Sequence, residues 1–118
     1  MEKGAHVAAT SELGRVAITS DAIAQIVGHT AAESYGIVGM AGRGPLARLR
    51  RGRLTDGIEV RGRDGGLEIE LQVVVEYGLN LAEVAAAVRS RVAYEVERHT
   101  GLTVAAVEVR IDDVRRSG

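Results

Sequence analysis

The run from Leu67 to Val114 constrains the fold more than any other stretch, because it reads as strand, capped helix and strand without a break in periodicity. Leu67, Ile69, Leu71, Val73 and Val75 alternate with Glu68, Glu70, Gln72, Val74 and Glu76, the period-two pattern of a sheet with one buried and one wet face. Val74 is the one apolar residue on the wet side. Tyr77-Gly78 ends the strand, and Asn80 stands three residues before Glu83, a spacing that satisfies free N–H groups at a helix start. Leu79 and Val84 have the spacing of a hydrophobic staple. Leu81, Val84, Ala85, Val88, Val92 and Val96 then recur at helical spacing until Thr100-Gly101, where glycine supplies the left-handed residue that closes a helix. Strand periodicity returns at once, with Val107, Val109 and Ile111 facing one way and Glu108, Arg110 and Asp112 the other.

Upstream, residues 1–14 are small and polar with no sustained period and read as a mobile tail. Arg15 to Ile18 reads as a short strand, and Ser20 as the cap of a helix whose inward stripe is Ile23, Ile26, Val27, Thr30 and Ala31. Gly28 costs about 1 kcal/mol relative to alanine inside a helix, which implies close approach to another element. Tyr35-Gly36 ends that helix and Ile37 to Met40 makes a strand. Residues 42–45 form a turn before a short helical or irregular segment. Gly57 to Arg61 and Leu67 to Glu76 form a hairpin about the glycine-rich turn 63–66. This order gives an α+β fold: two main helices packed on one face of a small, mostly antiparallel or mixed sheet, in a single domain spanning 15–114, with a short C-terminal tail at 115–118. The strand order is not fixed by this pattern.

A chain of 118 residues suffices for one core, built here from aliphatic side chains since Phe and Trp are absent. The absence of Cys removes thiolate nucleophiles, thiolate metal sites and disulfides. The 15 basic and 16 acidic residues nearly cancel, which argues against a wholesale nucleic-acid binder. No apolar run reaches the ~20 residues that cross a bilayer, and the N-terminus lacks the apolar middle of a secretion signal, so the expectation is a cytoplasmic chain without direct membrane insertion.

The strongest local charge bias is the arginine series Arg43, Arg48, Arg50, Arg51, Arg53, Arg61 and Arg63. Arg48, Arg50, Arg51, Arg53, Arg61 and Arg63 are the candidate contacts for a partner's carboxylates or for phosphates, since guanidinium pairs well with both. The competing reading is a solvated connector. Tyr35, Tyr77 and Tyr94 are scattered in sequence and offer no stacking platform for bases. The glycines at 39–44 lack the Gly-Lys-Ser/Thr ending of a nucleotide loop, and the GxxG at 62–65 joins strands rather than helices. His6, His29 and His99 show no metal-ligand spacing. Glu68, Glu70 and Glu76 share a strand face as ordinary sheet-surface charges do, and no Ser/His/Asp set is apparent. No enzyme activity, metal or cofactor is therefore expected.

The strings VVVEYG, AEVAAAVRSRV, TGLTVAAVEVRIDDV and ITSDAIAQIVGHTAAESYGIVGM together resemble the alkaline shock protein family of Gram-positive bacteria, also called the envelope stress response family. The resemblance covers roughly Val16 to Val114. It departs from the family pattern at Ala82, Arg89 and Glu108, all read as surface or first-turn positions. It implies a non-enzymatic cell-envelope stress protein, an adaptor or scaffold whose partners are itself and a membrane-anchored protein, peripheral at the membrane through that partner. The polar sheet face and an unpaired edge strand are the surfaces available for such contacts. The alternative is a nucleic-acid-binding or regulatory module using the Arg-rich segment 43–63.

Overall fold

The computed structural model describes residues 6–11, 14–40 and 55–116. Their elements run β1 (His6–Ser11), β2 (Gly14–Thr19), α1 (Ser20–Ala32), β3 (Ile37–Met40), β4 (Ile58–Arg63), β5 (Gly66–Glu76), α2 (Leu81–Thr100) and β6 (Val104–Arg115). The turn and short helical segment expected after Met40, with Arg43, Arg48, Arg50, Arg51 and Arg53, lie outside the described residues.

The sheet is built around β5. Its antiparallel partners β3 and β4 take Val73 to Val75 and Gly66 to Leu71 respectively, while β6 runs parallel to it from Leu67 to Glu76. β3 and β4 therefore lie in tandem along one side of β5, and β6 occupies the other. The parallel pair requires a crossover, and α2 is that crossover. The β4–β5 hairpin closes on Arg63 opposite Gly66, leaving Asp64-Gly65 as a two-residue turn.

Both helices cover one face. Ile23, Val27 and Ala31 of α1 and Val84, Val88, Val92 and Val96 of α2 join Val60, Leu67, Ile69, Leu71, Val73 and Val75 in one buried aliphatic core. Fully burying such side chains contributes roughly 1.5–3 kcal/mol each. Val107, Val109 and Ile111 of β6 pack against this core but stay half-buried, as expected of a sheet's outermost strand. The helix termini show why the elements stop where they do. Asn80 Oδ1 accepts from the Glu83 N–H at 3.0 Å, and Gly101 closes α2 at φ 75°. Two buried or half-buried hydroxyls are satisfied by carbonyls of the last helical turns, Ser34 donating to Thr30 O at 2.9 Å and Thr100 to Val96 O at 2.7 Å.

Several local expectations change. His6–Ser11, assigned from sequence to a mobile tail, is a strand paired antiparallel with β2 from His6–Thr19 to Ser11–Gly14. A weakly patterned segment becomes a strand when a neighbouring one satisfies its backbone groups. Thr19, not Ser20, caps α1: its extended backbone lets Oγ1 accept the Ala22 N–H at 3.0 Å, while Ser20 is already helical and buried. Leu81 lies at the first turn of α2 and stays exposed instead of joining the inward stripe. Val74, on the otherwise polar sheet face, is 3% exposed, and the registers on both sides of β5 slip beside it. Ala82, Arg89 and Glu108, where the family pattern is broken, are all exposed.

Candidate functional site

Three chain segments meet at the end of the sheet where β5 and β6 finish. The turn after α1 passes under the start of α2: Gly36 has φ 87°, and a Cβ there would lie 2.8 Å from Leu79 Cδ1 and 3.0 Å from Val84 Cγ2. Glycine is needed at that position both for its conformation and for the space. The Glu76 N–H donates to Gly36 O at 2.8 Å, and the Tyr77 N–H to Arg115 O at 2.7 Å. Two main-chain hydrogen bonds thus tie the α1–β3 turn, the β5–α2 turn and the end of β6 into one rim.

The exposed apolar side chains follow from this tying. Tyr35 (79% exposed) and Tyr77 (58%) each adjoin a residue of the Glu76–Gly36 bond, and Val38, Leu81 and Val114 lie on the same three segments. Among the described residues, Tyr94 on α2 is the one other exposed large hydrophobic residue. The Arg116 guanidinium sits 4.6 Å from the Tyr77 ring centroid, and Arg115 pairs with Asp113 at 3.2 Å. The rim thus carries exposed apolar and aromatic side chains with charged groups at its border. The tyrosines look scattered in sequence, yet the Glu76–Gly36 hydrogen bond brings together the main-chain segments that carry Tyr35 and Tyr77. The available signal is the repeated Tyr-Gly at 35–36 and 77–78, each lying in the connection that follows an element.

The arginine candidates fare differently. Arg61 and Arg63 stand on β4 and are engaged locally, Arg61 with Glu59 at 3.4 Å and Arg63 with Glu68 at 3.2 Å. Across the sheet Arg110 bonds Glu70 at 3.2 Å and approaches Glu108 at 3.6 Å. These exposed pairs neutralise the polar sheet face instead of leaving a basic surface; each is worth at most about 1 kcal/mol.

Two concavities hold further polar groups. A groove of about 390 Å³ between the helices is lined by Ile26, His29, Thr30 and Glu33 of α1 and by Arg91, Glu95, Arg98 and His99 of α2. Glu95 accepts from Arg98 at 3.4 Å and lies 3.3 Å from His99 Nε2, so the carboxylate is held by its own helix. Among the described residues no three His, Asp or Glu side chains are grouped to hold a metal ion. A hollow of about 280 Å³ lies under the β4–β5 turn, beside Leu102 and Thr103.

A family model described as the ASP23 family, with a cell envelope-related function, matches residues 8–116. The chain is 32% identical over 110 residues to the uncharacterized protein YloU of Bacillus subtilis, covering 89% of this chain and 92% of YloU. It is 30% identical over 110 residues to the uncharacterized protein Spy1614 of Streptococcus pyogenes, covering 89% and 91%. A second Bacillus subtilis protein, the uncharacterized YqhY, is 28% identical over 104 residues, covering 86% and 77%. No solved structure matches the chain. No described helix is long and apolar enough to cross a membrane. A strand, a capped helix and a strand around one aliphatic core, matched along nearly the whole chain, make this protein a member of the alkaline shock protein family, whose function is related to the cell envelope.

Proposed function

We propose that the protein is a non-catalytic adaptor of the cell envelope, acting in the cytoplasm and held at the membrane by an anchored protein that docks on the Tyr35/Tyr77 rim. The observation that carries this reading is the gathering of Tyr35, Val38, Tyr77, Leu81 and Val114 on three segments at one end of the molecule, with Tyr94 the one other exposed large hydrophobic among the described residues. The envelope-related family supports the setting. Aromatic side chains on a tied rim suit docking because they offer large contact area while losing little freedom on binding. Self-association is the second part of the role, multiplying contacts to the anchored partner.

The test is affinity capture from nuclease-treated membrane fractions of native cells, with wild type beside Tyr35→Ser/Tyr77→Ser and Tyr94→Ser. Recovery of one integral membrane protein by wild type and Tyr94→Ser, with loss in the double variant, is the expected result. Equal recovery by all three would remove the rim from the proposal. If only nuclease-sensitive material is retained, and is lost on neutralising Arg50, Arg51 and Arg53, the protein is instead a nucleic-acid-binding module.

A further inference from the structure

We infer that the outer edge of β6 pairs antiparallel with the same edge of a second copy, about a two-fold axis at Val109, joining two sheets into one. This deepens the self-association part of the proposed function and names its surface. Among the described residues β6 pairs with β5 alone, so one side of a strand running Val104–Arg115 is unmatched by them. A long, open edge of this kind is a template for another strand.

The register follows from the backbone. The Tyr77 N–H reaches β6 while the Gln72 N–H reaches Gly57 O on the other side, so odd residues of β5 face β6 and even ones face β4. Between the register slips at Leu67/Glu68 and Val73/Val74, Ile69 lies opposite Val107, Leu71 opposite Val109 and Val73 opposite Ile111. In a parallel ladder the residues opposite these β5 donors turn their own N–H and C=O groups away. Val107, Val109 and Ile111 therefore present their backbone groups outward. Their side chains lie half-buried against the core, with apolar surface left to cover.

Antiparallel pairing about Val109 uses all three: Val109 meets its own copy and Val107 meets Ile111 twice, giving about six main-chain hydrogen bonds. On the opposite face the same register sets Glu108 against Arg110 twice. Moving the axis to Glu108 opposes two glutamates, and moving it to Arg110 opposes two arginines; like charges directly opposite are unfavourable. The edge is thus self-complementary in hydrogen bonding, apolar contact and charge about Val109.

The experiment is sedimentation equilibrium of the full chain over a broad concentration range, with Val109→Pro and Glu108→Arg. Proline at 109 removes an outward N–H and leaves the β5 ladder intact, so circular dichroism should be unchanged. Glu108→Arg changes an exposed side chain and puts like charges opposite each other, weakening association about tenfold or more. Wild type should reach twice the 12.5 kDa chain mass, and both variants should remain near it. Should Val109→Pro unfold, monomeric Glu108→Arg beside dimeric wild type still supports the interface. A wild type that stays monomeric, or dimers indifferent to Glu108→Arg, overturns it. Because a monomer can still capture a partner through Tyr35 and Tyr77, loss of this interface and loss of the docking rim give different results.

Discussion

Gly66→Ala should be among the most damaging single-methyl additions this fold can receive. Gly66 opens β5 with φ 124°, and a Cβ there would lie 2.5 Å from the Thr103 carbonyl oxygen and 3.1 Å from its carbon. That oxygen accepts the Leu67 N–H at 2.8 Å, the bond that fixes the α2–β6 connection against the start of β5. Alanine at this φ costs of order 1–3 kcal/mol in backbone strain. Displacing Thr103 removes a main-chain hydrogen bond worth about 0.5–1.5 kcal/mol net. The sum is about 2–4 kcal/mol, a lowering of Tm by roughly 6–24 °C at about 3–6 °C per kcal/mol for a domain of this size.

Two other glycines separate the causes. Gly101 has φ 75° with nothing within 4 Å of its added Cβ, so Gly101→Ala carries strain without a clash and should cost about 1 kcal/mol. Gly65, in the preceding turn, has neither a positive φ nor a neighbour within 4 Å, and Gly65→Ala should stay within about 0.5 kcal/mol of wild type. Urea unfolding of the three variants at constant m gives the comparison directly. If Gly66→Ala is no less stable than Gly101→Ala, the close approach of Thr103 to β5 is refuted.

Removing the α2 cap with Asn80→Ala should cost about 1 kcal/mol in the same urea assay, since the Glu83 N–H loses its 3.0 Å acceptor. Val92→Ala, at a fully buried core position, should cost about 2 kcal/mol from two lost methyls and the residual cavity, read as a lower Cm. Arg63→Gln should change stability by less than about 0.5 kcal/mol, because its pair with Glu68 is solvent-exposed, and its thermal melt should overlay wild type.

What the sequence makes legible is what periodicity and end signals encode. The alternation in Leu67 to Val75, the Asn80 cap and Gly101 specify β5, α2 and β6 closely, because each residue's role depends on near neighbours. The tandem placement of β3 and β4 along one side of β5 is a long-range pairing with no local signature, so strand order is absent from the pattern. The Tyr rim is hidden for the same reason: Tyr35 and Tyr77 become neighbours in the fold through the Glu76–Gly36 hydrogen bond, a contact between segments forty residues apart. The arginine series, conspicuous as composition, contributes Arg61 and Arg63 to ion pairs on the sheet surface. Local charge bias does not report whether the neighbouring strand carries the opposite sign.

The two surfaces proposed for this protein also constrain each other. The slip between Val73 and Val74 separates the regular part of β6, through Ile111, from its end at Val114 and Arg115. Edge pairing at Val107 to Ile111 uses none of Tyr35, Val38, Tyr77 or Leu81. A two-fold axis through Val109 stands perpendicular to the joined sheet and reverses the strand direction, so the two copies carry their rims to opposite ends while their helices share one face. In the proposed role such a dimer would hold two anchored partners, one at each end, and the second contact would form at the raised effective concentration set by the first. Val109→Pro should then lower retention on membranes bearing partner far more than it lowers affinity for a single detergent-solubilised partner molecule. Equal loss in both measurements would mean that the dimer contact and the rim are one surface, contrary to the assignment of Val107 to Ile111 to the one and Tyr35 and Tyr77 to the other.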